Sequence, residues 1–208
     1  MNNVITRALV DDAMSYASFR NRINSLLIER QTTGKDQDPR LVEYTRLNTK
    51  RMDRFEKQVE LLPELLDELK ALKKNQIWLG IAEAWCGDVP ANVTALAKLS
   101  VAVPTVSLRL VLRDEHPDLM DAYLTNGSRS IPKIIALDAE TLEEQWVWGP
   151  RPEPAQKLFD ELRIKGEDLF AIAEQIQKWY NQDRAVTLQQ EVLKKVKLQS
   201  AEAGSVSS

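Results

Sequence analysis

The stretch Gln76–Pro90, Q-I-W-L-G-I-A-E-A-W-C-G-D-V-P, limits what this chain can fold into more than any other. An apolar run from Ile77 to Ala82 reads as a strand. It passes through Glu83 and Ala84 to Trp85-Cys86-Gly87-Asp88, and a helix-patterned segment from Gly87 to Leu99 follows at once. A second run, Pro104 to Leu112, is rich in β-branched residues and reads as another strand. Strand, helix and strand at this spacing predict a right-handed crossover with parallel pairing, so both strands end on the same edge of one sheet. Cys86 then lies at a strand-to-helix junction, where the positive end of a helix dipole lowers a thiol pKa. It is the only cysteine in the 208 residues, so any redox chemistry passes through it or involves another molecule. With one histidine besides, His116, a structural zinc site within the monomer is excluded.

Helices are predicted on both sides of this unit. Tyr16, Phe19, Ile23, Leu26 and Leu27 recur at helix spacing, and Thr32-Thr33-Gly34 stops a helix that spans about 12–30. Asp38 and Pro39 open a second helix, whose Leu41, Tyr44, Leu47, Met52, Phe55 and Val59 form one apolar stripe read as core. A third runs from Pro63 to Lys73. After the second strand come a short helix from Pro117 to Leu124 and a turn at Asn126-Gly127. A hairpin pairing 133–137 with 143–148 follows. Pro150, Pro152 and Pro154 punctuate a loop, 155–180 reads as one or two helices around Gly166, and a last helix covers about 187–198 before a disordered 201–208. The expected architecture is α/β: a helical N-terminal extension over 1–59, a core domain over 60–182, and a C-terminal helix and tail over 183–208.

Composition removes several functional classes. The net charge is −3, and no run of like charge makes a nucleic-acid footprint. No window approaches the ~20 apolar residues of a membrane span, and residues 1–11 lack a signal-peptide pattern. A cytoplasmic protein is expected, and a lone thiol agrees with a reducing compartment.

The order of elements, together with Trp85-Cys86-Gly87 and Ser130-Ile131-Pro132, resembles the thioredoxin fold over about residues 60–180. It is similar to a bacterial branch of thioredoxin-like proteins with a helical N-terminal extension and W-C-G-D in place of W-C-G-P. T-T-G at 32–34 and L-V-E-Y-T-R-L-N at 41–48 share that likeness. The resemblance implies a central mixed four-stranded sheet flanked by helices, and a cis Ile131–Pro132 bond against the thiol. It also implies that Ile131 offers backbone groups to an extended peptide, that Gly149 lines the same groove, and that Arg129 lies close by. Two departures matter. The position of a thioredoxin's second cysteine is Val89, and that of its buried acid is Gly80. Dithiol exchange needs a second thiol to release the product, so that cycle is closed to this chain.

Two readings of Cys86 stand side by side: a nucleophile released by an external thiol, or a relic packed as a small hydrophobe. Glu83 and Asp88 add negative charge that would raise its pKa, and Arg129 would oppose them. Asp88 reads as an acid in the first helical turn. His116 falls on the same sheet edge and would activate the thiol if paired, although capping the helix at Pro117 is its default. Trp85 reads as a wall of the groove, Trp148 as groove or core, Trp146 as core, and Arg129 and Lys133 as contacts for a carboxylate of glutathione. No metal and no cofactor are expected. The leading expectation is a single-cysteine thiol/disulfide oxidoreductase whose partner is a disulfide-containing protein or glutathione. Its rival is a peptide- or protein-binding module that keeps the fold without the chemistry, and a homo-oligomer is compatible with either.

Overall fold

The computed structural model describes residues 4–205. In chain order the elements are α1 (Arg7–Asp12), α2 (Tyr16–Ile28), α3 (Pro39–Gln58), α4 (Pro63–Lys70), β1 (Gln76–Ala82), α5 (Val89–Ala102), β2 (Val106–Leu112), α6 (Pro117–Ala122), β3 (Lys133–Asp138), β4 (Glu144–Trp148), α7 (Glu153–Ile164), α8 (Leu169–Asp183) and α9 (Val186–Ser205). The strands form one mixed sheet in the order β2-β1-β3-β4. β1 is parallel to β2, with Gln76 opposite Val106 and Ala82 opposite Leu112, and antiparallel to β3. β3 and β4 form the antiparallel hairpin. Every residue of β1 is buried, which suits a near-continuous apolar run in an interior strand covered on both faces.

α5 crosses from β1 to β2, and Pro90 at its start needs no N–H partner there. It is buried almost all round because β2 lies on one side and α3 on the other. Met52 and Phe55 of α3, together with Val59 just past its end, are fully enclosed in the same core as Val93, Leu96 and Leu99. α9 packs on α4 and β4, burying Leu188, Val192 and Val196, while Trp146 of β4 meets Trp78 of β1 edge-on at 5.4 Å.

Several boundaries differ from those expected. The helix predicted over 12–30 is interrupted: Ala13 and Met14 are extended, and Ser15 caps a new helix by accepting from Ser18 N. The interruption has a structural use. Met14 exchanges two backbone hydrogen bonds with Leu110, of 2.9 and 2.7 Å, and so covers the outer edge of β2. The apolar stripe of α3 divides in two: its C-terminal half is core, Leu47 is largely exposed, and Leu41 and Tyr44 line a cleft. α4 ends at Lys70 and α6 at Ala122, both shorter than expected. α5 begins at Val89, and α9 continues to Ser205, through part of the segment expected to be disordered. Residues 206–208 lie outside the described residues. Among those described, no helix is long and apolar enough to cross a membrane.

Candidate functional site around Cys86

Cys86 lies in the turn between β1 and α5, where its N–H donates to Glu83 O at 3.1 Å. Only 8% of it is exposed, and Sγ donates to Ile131 O at 3.3 Å. The Ile131 carbonyl, expected to face an extended peptide, accepts from the thiol instead. Burial pushes the thiol pKa up to about 12, and the Asp88 carboxylate adds to the rise. The N–H groups of Asp88 and Val89 and the Arg151 guanidinium act downward and are outweighed. The helix-dipole effect is therefore present and loses. Cys86 is a neutral thiol near pH 7.

Asp88 corrects a second expectation. It occupies the N-cap of α5 rather than its first turn, and its carboxylate caps nothing. It accepts from Arg151 Nε at 3.0 Å, from Arg151 Nη2 at 2.8 Å and from Tyr180 Oη at 2.8 Å. Desolvation still raises its pKa above the ordinary carboxylate value. Asn92 extends the network, donating to Tyr180 Oη and to Asp88 O. Gln177 of α8 donates to Gly87 O at 2.7 Å. The extension reaches the same turn. Asn48 Nδ2 donates to Ala84 O at 2.8 Å and to Cys86 O at 3.1 Å, and Ala84 N donates to Thr33 Oγ1 at 2.8 Å. The two similar motifs of the extension therefore brace the Cys86 turn. Glu83, also fully buried, accepts from Asp114 N at 3.0 Å, and burial raises its pKa.

Beside Cys86 a cleft of about 420 Å³ opens between α3, α7 and α8. Trp85, Cys86, Gly87 and Asp88 line one side, and Leu41, Tyr44, Phe159, Phe170, Ile172 and Ile176 supply apolar walls. Tyr44 stacks on Phe170 at 6.2 Å, and the Arg151 guanidinium lies 4.1 Å above the Phe159 ring. Arg113 covers the Trp85 ring at 4.7 Å.

Of the remaining expected residues, some meet the thiol and others lie elsewhere. Ile131 meets it through its carbonyl, the Ile131–Pro132 peptide is cis, and Gly149 packs against Pro132 at φ +114°, where a Cβ would stand 2.3 Å from Pro132 O. Arg129 is instead at the surface in a two-bond pair with Asp121, so it does not offset the charge near the thiol. His116 is the N-cap of α6 without a side-chain cap bond, and the hydrogen bond of Cys86 Sγ goes to Ile131 O rather than to it. Lys133 is buried and donates to Thr125 Oγ1 and Gly149 O, so it is not free to meet a ligand carboxylate. Trp148 is core: its Nε1 donates to Glu191 of α9. Glu83 faces Asp114, and the carboxylate that acts on Cys86 is that of Asp88.

The Thioredoxin family model matches residues 34–163. The chain belongs to the thioredoxin family. The structure is similar to the crystal structure of a protein of unknown function from Pseudomonas aeruginosa, with a TM-score of 0.63 and 18% identity, covering 93% of this chain and 98% of that one. An HIV epitope-scaffold is similar too, with a TM-score of 0.62, 18% identity and the same coverage. No curated protein matches. Val89, at the position where the resemblance would put a second cysteine, is fully buried. At Gly80, where it would put a buried acid, an added Cβ would lie 2.7 Å from Leu110 Cδ2. Sequence reasoning missed Arg151, Tyr180, Asn48 and Arg51. The only signals for them were the position of Arg151 next to Pro150 and the presence of Asn48 in a motif that had no assigned role.

Proposed function

We propose that this thioredoxin-family chain is a binding module whose ligand enters the cleft beside Cys86, and that it does not turn over disulfides. The observation that carries this is the cleft itself: an apolar space roofed by α3 and α8, with the Cys86–Asp88 turn as one side. Its volume falls in the ~300–1,000 Å³ range of small-molecule sites. The state of Cys86 supports the reading, since the thiol is buried, donates its proton to Ile131 O and has no second thiol to resolve a mixed disulfide.

One observation favours a second reading. Cys86 lines the cleft beside Ile131, so a disulfide held there would lie against the sulfur. In that reading Cys86 attacks oxidised glutathione or a protein disulfide as its proton leaves. The new S–S bond joins Cys86 to one half of the partner, the other half departs as a thiol, and an external thiol later regenerates Cys86. Intact-mass measurement after incubation with oxidised glutathione at pH 7.5 separates the readings. The binding reading expects no glutathionyl adduct, no insulin reduction, and a biological phenotype that survives Cys86→Ser. A stoichiometric adduct removed by free thiol would establish the exchange reading instead.

A further inference from the structure

Three arginines line the cleft, and they differ in how their charge is met. Arg40 is paired with Asp38 at 2.6 Å and Arg151 with Asp88 at 2.8 Å. Arg51 has no carboxylate within ion-pair distance among the described residues. Its Nη1 donates to Asn48 Oδ1 at 2.9 Å, and its charged neighbour is a second cation, Arg54. Burial lowers the pKa of Arg51, Tyr44 opposes the fall, and Arg54 adds to it. The side chain is nevertheless well positioned. Asn48 is itself fixed by Ala84 O and Cys86 O, so the guanidinium is held one residue away from the Cys86 turn with its other donors unused. Around it the walls are apolar, and Leu169 and Phe170 at the mouth remain 60% and 58% exposed. A half-buried cation that no carboxylate pairs, set beside an aliphatic and aromatic wall, is complementary to a ligand of the opposite kind.

We propose that the cleft takes a small apolar molecule bearing a single carboxylate, the carboxylate on Arg51 and the apolar body between Tyr44, Phe159, Phe170 and Ile176. This deepens the binding reading and rests on it. One negative charge meets the one guanidinium of the cleft lining that no carboxylate pairs, and the planar fork of arginine suits a carboxylate geometrically. The thiol of Cys86 is then a wall of the site and takes no part in chemistry.

Isothermal titration of the full chain with octanoate, below its micelle concentration, and with octanol, below its solubility limit, tests the assignment. Octanoate should bind with 1:1 stoichiometry at least ~10-fold more tightly than octanol, the discrimination expected of one charge-assisted contact. Arg51→Gln should bring octanoate down to the level of octanol, with thermal unfolding checking that the variant is folded. Ala173→Trp, which fills the cleft from α8, should remove both ligands. Equal affinity for the two ligands in the wild type, or a preference for octanoate that survives Arg51→Gln, overturns the carboxylate assignment and leaves the cleft as an apolar site. If neither ligand binds, the inference fails, whereas the binding reading itself fails on a stoichiometric glutathione adduct at Cys86.

Discussion

The ionisation of Cys86 is decided by a competition between groups a few ångströms apart. N–H groups at the start of α5 favour the thiolate, and burial together with the Asp88 carboxylate oppose it more strongly. Arg151 and Tyr180 favour the charged form of Asp88 against the burial that raises its pKa, so the group that suppresses the thiolate is itself part of the packing. Replacing Asp88 by Asn removes that charge and leaves Arg151 unpaired, and both changes lower the thiol pKa. Iodoacetamide alkylation of Cys86 should therefore be at least ~10-fold faster in Asp88→Asn at pH 8, since one pKa unit is a factor of ten in thiolate. The wild-type rate should climb without a plateau up to pH 10, and a wild-type plateau near pH 8 would contradict the assignment. Asp138 behaves oppositely. It accepts from the N–H groups of Glu140 and Thr141 and pairs with Lys74 at 2.9 Å, which lowers its pKa to about 2. A carboxyl with a depressed folded pKa stabilises above its unfolded pKa, about 3.9, and loses that contribution as pH falls towards 2. Asp138→Asn should cost roughly 2 kcal/mol at pH 7 and much less at pH 2, read from urea midpoints at the two pH values.

Among the elements, the short extended segment between α1 and α2 shows what periodicity overlooks. Apolar spacing in 16–27 signalled a helix correctly, but nothing in that spacing records that Ala13 and Met14 leave the helix to cap an edge strand. Met14→Pro deletes the N–H that donates to Leu110 O and should destabilise the fold by ~1–3 kcal/mol. Hydrogen exchange at the Leu110 amide, whose partner is Met14 O, should accelerate with it. If the Leu110 amide stays protected, the segment is not the lock on β2 that its hydrogen bonds indicate. α3 carries the same lesson. Its stripe was legible as apolar, yet Met52 and Phe55 became core against α5 while Leu41 and Tyr44 became the side of a cleft, with Tyr44 facing Phe170 of α8.

Over the whole molecule, the extension and the thioredoxin domain share one core. Phe19, Ile23, Met52 and Phe55 cluster with the residues of β1 and α5, and Thr33 and Asn48 satisfy backbone groups of the Cys86 turn. Full-length protein should therefore unfold in a single calorimetric transition. A fragment covering residues 60–208, which loses that packing and those donors, should show none. Two separable transitions, or a fragment that melts cooperatively, would show the extension to be an independent layer.

The strand-helix-strand order, the position of Cys86 at the junction, the absence of a resolving thiol at Val89 and the glycine at position 80 were determined by the sequence alone, because each depends on residue type at a fixed spacing. The groups that surround the thiol were not. Arg151, Tyr180, Asn48 and Arg51 lie 65, 94, 38 and 35 positions from Cys86 in the chain, and only the packing of α3, α8 and the loop after β4 onto one turn brings them together. Periodicity reports which face of an element is apolar. Which charges share a buried volume, and therefore whether Cys86 ionises and what the cleft will accept, is fixed when those faces meet.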